Sequence, residues 1–146
     1  MILISHRGNI NGKNPERENS PEYISEAIEA GYHVEVDVYE HNDKLYLGHD
    51  KPQYQIEISF LKNDKLWCHC KNAKALEKLV TADVHCFFHK TDDVVMTSKG
   101  YMWVFPGKPA LEGSIYVLPE ITQYSKEDLR KCAGICSDYV ATYREL

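Results

Sequence analysis

No apolar run in this sequence approaches the ~20 residues a helix needs to cross a bilayer, so no helical membrane span is expected. The opening residues, Met1-Ile2-Leu3-Ile4-Ser5-His6, have no basic flank and too short an apolar run for a signal peptide. A basic patch is also missing. Seventeen Lys and Arg stand against 22 Asp and Glu, for a net charge of −5, which argues against a nucleic-acid partner. No repeat, low-complexity segment or linker divides the chain, so residues 1–146 are expected to form one domain with a core of its own. Five cysteines without a secretory leader point to reduced thiols in a cytoplasmic protein rather than to disulfides.

What the sequence does contain centres on Val34-Glu35-Val36-Asp37-Val38, with Gly48-His49-Asp50 soon after. Valine alternating with carboxylates has the period of a β-strand, so Glu35 and Asp37 share a face. Two neighbouring anions repel unless a positive charge lies between them, and a divalent cation would supply it. The segment from Tyr39 to Leu47 reads as a hairpin-like return that brings His49 back to the same end. The plain alternative is a strand with a solvated polar face.

Taken in order, Ile2–Ile4 reads as a strand buried on both faces. Asn9–Asn19 reads as a loop, and Ser20-Pro21 opens a helix with Tyr23, Ile24, Ala27 and Ile28 inward, ended by Gly31. Further strands are expected over His33–Val38, Leu66–Lys71, Val84–Phe88, Val94–Thr97, Tyr101–Phe105, Ile115–Leu118 and Gly134–Asp138. Lys51–Glu57 reads as irregular, and Ile58–Leu61 as one helical turn. Asn72 caps a helix with Ala75, Leu76, Leu79 and Val80 inward, and Ser125 caps Lys126–Lys131. Eight strands with early helix alternation predict an α/β fold, a compact (β/α)8 TIM-type barrel with several outer helices missing. An open α/β sheet is the second choice. Val94–Phe105 is apolar on both faces with no helix to cover it, which predicts a homodimer, or a covering loop, on that side.

Four short motifs, His6-Arg7-Gly8, Glu18-Asn19-Ser20, Glu35-Val36-Asp37 and Gly48-His49-Asp50, resemble in order and spacing the signature of the glycerophosphodiester phosphodiesterase family. That family has a phospholipase-C-like phosphodiesterase barrel. The specific match covers residues 1–50. Weaker echoes lie at Cys68-His69-Cys70-Lys71 and at Gly134–Asp138.

The resemblance implies His6 and His49 as the acid/base pair, with Arg7 on the phosphate. It also implies Glu35 and Asp37 as metal ligands, Glu18 and Asn19 as the site loop, and Lys71 as a further substrate contact. His69 stands where the family has its third, glutamate ligand. Two carboxylates suit Mg²⁺ or Ca²⁺, whereas a His69 imidazole donor tilts preference towards Mn²⁺ or Zn²⁺; the alternative is that His69 contacts the phosphate as a cation and leaves a two-carboxylate, water-rich site. Imidazoles titrate near neutrality and suit proton transfer, and a guanidinium offers a planar fork to phosphate.

The expected activity is metal-dependent hydrolysis of a small phosphodiester. A related lyase, a phospholipase-D-like enzyme and a phosphoryl-binding barrel without turnover are the competitors. Cys68, His69 and Cys70 with Cys132 and Cys136 could also be read as zinc ligands. However, alternation puts His69 on the face opposite the two neighbouring cysteines. His33, His41, His85 and His89 read as core-edge or solvated residues, Asp92-Asp93 as a turn, and Glu120 as a residue able to reach the site.

Overall fold

The structure, a computed structural model, describes residues 1–146. Strand β1 (Ile2–His6) leads through a loop to helix α1 (Pro21–Glu29), which starts as its sequence requires. Ser20 accepts from the Tyr23 N–H, and Pro21 occupies the first turn. Strand β2 (His33–His41) is the longest, with nine residues. Asn42 and Asp43 follow with φ of 49° and 65°, the two left-handed positions of a tight hairpin turn, so β3 (Lys44–Leu47) returns antiparallel. β4 (Tyr54–Ile56) adds a further antiparallel strand, and the turn α2 (Ile58–Leu61) leads to β5 (Leu66–Cys70).

Helix α3 (Ala73–Thr81), capped by Asn72, connects β5 to β6 (Cys86–Phe88). Then come β7 (Val94–Met96), β8 (Met102–Val104), β9 (Ile115–Val117), the short helix α4 (Lys126–Arg130) and β10 (Gly134–Ser137). No helix is long and apolar enough to cross a membrane.

The expected (β/α)8 barrel is not what forms. The chain makes one curled mixed sheet, a half-barrel with few helices. β6, β5, β2, β1, β10, β9 and β8 run parallel in that spatial order, and β7 closes the far edge antiparallel to β8. The reason lies in connection length. A parallel crossover needs a dozen or more residues, and the segment 97–101 between β7 and β8 is too short, so the chain turns back as a hairpin. β2 also forks. Its first half pairs with β1, and Val38–His41 pairs with β3. Only α1 and α3 reach nine residues.

Strand alternation sorts the side chains into layers. Val34, Val36 and Val38 of β2, with Leu66, Cys68 and Cys70 of β5, pack outward with Ile24, Ala27, Ala75 and Leu79 of α1 and α3. Inside the curl, Ile4, Trp67, Phe87, Trp103, Ile115, Val117 and Cys136 form a second cluster. A third cluster covers the outside of β8–β10, where Val104 and Tyr116 pack with Leu129, Cys132 and Ile135, flanked by Tyr124, Tyr143 and Leu146. On the side where a homodimer or a covering loop was expected, the chain's own segments bury Val104 fully, while Met96 of β7 stays exposed. All five cysteines are free and buried, and those of β5 point away from His69.

Candidate metal centre

Three adjacent strands assemble the centre by register. His6 at the end of β1 lies opposite Glu35, and Asp37 lies opposite His69 of β5. With valines filling the outer layer, Glu35 and Asp37 must point into the curl, at the C-terminal ends of the parallel strands. Ligand atoms of Glu35, Asp37 and His69 lie within 4.8 Å of one another, a set able to hold a metal ion. His69 Nδ1 is 3.2 Å from Asp37 Oδ1 and 3.8 Å from Glu35 Oε1.

The loops after the strands supply the cations and the braces. Arg7, held at a left-handed φ of 57°, places Nε 3.1 Å from Asp37 Oδ2 and Nη1 3.3 Å from Glu18 Oε2. Its Nη2 lies 3.3 Å from His49 Nε2. His49 Nδ1 is 3.3 Å from Asp37 Oδ2, and Lys71 Nζ is 3.7 Å from Asp37 Oδ1. Asn19 grips Asp37 twice. Its amide donates to Oδ2 at 2.9 Å, and its carbonyl oxygen accepts from the Asp37 N–H at 2.9 Å. His49 is the most accessible of these groups, with 40% of its side chain exposed.

Charge separates the two carboxylates. Burial pushes Glu35 above its ordinary value and the neighbouring Asp37 pushes it further, with His6 and Arg7 opposing. Burial would also raise Asp37, yet His49, His69 and Arg7 together hold it well below the usual carboxylate range. Glu35 Oε2 and Asp37 Oδ1 remain buried with no hydrogen-bond partner. Buried carboxylate oxygens short of hydrogen bonds are costly, and a divalent cation would satisfy both at once. The donor set thus fits a metal on the structure's own terms.

The residues to which the resemblance gives a site role converge here: His6, Arg7, Glu18, Asn19, Glu35, Asp37, His49, His69 and Lys71. Sequence reasoning missed two participants. Asp138, just past β10, accepts from His6 Nδ1 at 2.7 Å. Against the lowering effect of burial, that bond and Glu35 raise the His6 pKa. Asn9, fully buried, donates to Asp138 Oδ1 at 2.8 Å and to Glu18 Oε1 at 2.9 Å, tying the loop to the last strand. The one available signal was position, since Asp138 ends the final parallel strand. Glu120 reaches Asp138 rather than the metal set; it accepts from the Asp138 N–H and the Ser137 hydroxyl, each at 2.9 Å.

Other conspicuous residues lie elsewhere. His33 accepts from the Trp67 indole, and His85 bonds Thr97 at 2.8 Å. Asp93 pairs with Lys108. The larger hollows are also remote, one of about 660 Å³ beside Glu40, Lys74 and Lys78 and one of about 620 Å³ around His33, Trp67 and His85. Comparison with family models, with curated proteins and with solved structures finds no match for this chain.

Proposed function

We propose that this chain is a metal-dependent phosphodiesterase that hydrolyses a small phosphodiester of the glycerophosphodiester type, with His6 and His49 as its proton carriers. The observation that carries the reading is the Glu35, Asp37 and His69 donor set, with two partnerless carboxylate oxygens, lying beside both imidazoles and Arg7. Because the sheet is not a (β/α)8 barrel, the reading rests on the site and on the four motifs, and not on the fold.

Glu35, Asp37 and His69 would hold the ion. A divalent metal, Mg²⁺ or Ca²⁺ by its carboxylates or Mn²⁺ or Zn²⁺ by its imidazole, would offset charge on a non-bridging phosphate oxygen. Arg7 stays charged at all working pH values and offers its fork to the same phosphate. Glu18 and Asp37 orient that fork before substrate arrives. Asp138 fixes His6 through Nδ1 and leaves Nε2 on the Glu35 side, 3.8 Å from that carboxylate. His6 takes a proton from the attacking water as the water oxygen bonds to phosphorus and the ester bond breaks, and Asp138 stabilises the imidazolium that results. His49, at the exposed rim, gives a proton to the departing oxygen. Lys71 adds positive charge where the diester's oxygens gather.

Phosphorus NMR of a panel of phosphodiesters, run with Mg²⁺, Ca²⁺, Mn²⁺ or Zn²⁺, tests the assignment. Hydrolysis to phosphomonoester, lost in His6→Ala and Glu35→Ala, is the expected result. A persistent cyclic phosphate would reassign the chain as a lyase. Activity untouched by either substitution would remove the assigned site.

A further inference from the structure

The three candidate ligands differ in how they are held. Asp37 is gripped by Asn19 and by cations, and Glu35 sits in the strand between His6 and His69. His69 is held by rings. Phe87, its register partner on β6, stacks against it at 5.1 Å between centroids with 7° between planes. His89, two residues further along the same face, stacks at 4.5 Å and 16°. Phe105 packs behind His89 with centroids 3.6 Å apart. Histidine ligands are commonly oriented by a hydrogen bond to the outer ring nitrogen. Here a continuous row of aromatic rings takes that orienting role and keeps Nδ1 turned to Asp37 and Glu35.

The row has a cost. His89 Nδ1 is buried without a hydrogen-bond partner, and the proton-transfer scheme gives His89 no task. Its position supplies one. Two oxygens and one fixed imidazole nitrogen form a donor set that favours borderline transition metals over the hard ions, because imidazole is a poor ligand for Mg²⁺ and Ca²⁺.

We infer that His89 is a positioning residue which, with Phe87, holds His69 as a nitrogen ligand and so makes the centre selective for Mn²⁺-type or Zn²⁺-type metals over Mg²⁺ and Ca²⁺. The inference rests on the metal-centre reading above and goes further by naming the class of ion and the residues that select it.

The test uses the full chain, stripped of metal with chelator, and measures Mn²⁺ and Mg²⁺ binding directly by calorimetry and electron paramagnetic resonance. The native chain is expected to bind Mn²⁺ at least about tenfold more tightly than Mg²⁺ and to show nitrogen modulation from one bound imidazole. His69→Glu should remove the nitrogen signal and the preference. His89→Ala should weaken Mn²⁺ by roughly 10–100-fold, the range seen when an outer-shell partner of a metal ligand is lost. His89→Phe keeps a ring and discards the partnerless nitrogen, and should stay near native affinity. Circular dichroism of each variant confirms folding. If the folded native chain binds no metal, the metal-centre reading itself fails. If it binds metal but prefers Mg²⁺, or if His89→Ala binds Mn²⁺ as the native chain does, or if His89→Phe is as weak as His89→Ala, this inference alone is overturned.

Discussion

Replacing Glu35 with Gln should stabilise the metal-free protein while abolishing its response to metal. Glu35 is 3% exposed, its Oε2 has no hydrogen-bond partner, and the imidazoles of His6 and His69 stand 3.8 Å away. A buried polar group left without a partner costs about 1–3 kcal/mol, and more when charged. Glutamine is nearly isosteric, carries no charge, and has an amide able to donate to the neighbouring carboxylate. Recovering about 1–3 kcal/mol would raise the melting temperature by roughly 3–10 °C in a chain of this size.

The pH dependence has a definite sign. The folded-state pKa of Glu35 lies above its ordinary value of 4.5, so ionisation penalises the folded state increasingly as pH rises through the ordinary value and then the folded value. The advantage of Glu35→Gln should be full above the folded value and vanish below pH 4.5. Thermal and urea unfolding in chelator, repeated with Mn²⁺, reads both effects. At a free metal concentration of 100 times the dissociation constant, the native chain should gain about 2.7 kcal/mol, and the variant far less. A Glu35→Gln protein less stable than the native chain in chelator at neutral pH would refute the argument that this carboxylate is held under strain for a cation.

Other outcomes follow from neighbouring contacts. Asp138→Asn should lower turnover by roughly 10²-fold or more and shift the acidic limb of the pH–rate profile down, because His6 loses the carboxylate that raises it; Mn²⁺ affinity by calorimetry should be unchanged. Asn19→Ala strips both hydrogen bonds from buried Asp37 and forces alanine to a φ of 64°, so urea unfolding should show a loss of about 2–4 kcal/mol, part of it recovered by Asn19→Gly. Burial, with Lys99 nearby, lowers His85 from 6.5 to about 4, so the native state resists a proton that the unfolded chain accepts. Stability present above pH 6.5 should fall as pH drops towards 4, and His85→Gln should make that fall shallower in urea titrations.

Much of the centre was legible because it is local. Alternation of Val34, Glu35, Val36, Asp37 and Val38 fixed which side chains share a face, and the hairpin at Asn42-Asp43 explains why His49 returns to Asp37. The separation of His69 from Cys68 and Cys70 followed from the same period. The architecture was less legible because an apolar run does not disclose its partner's direction. Val94–Met96 resembles a parallel barrel strand, yet the five-residue link to β8 permits only an antiparallel return. β4 was missed although Gln53-Tyr54-Gln55-Ile56-Glu57-Ile58 alternates polar with apolar residues; the strand has only three residues, Pro52 precedes it closely, and its pairing with β3 depends on tertiary context. Asp138 escaped notice for another reason: its partner His6 lies 132 residues away, and only the parallel pairing of β1 with β10 brings the two together.

Anomalous diffraction from crystals soaked in Mn²⁺, recorded on either side of the manganese edge, locates the ion and its ligands. A single strong peak bounded by Glu35, Asp37 and His69, with His6 and His49 lining the same opening, is the predicted result. A peak held by other residues, or none at this position in crystals that bind manganese elsewhere, would contradict the account.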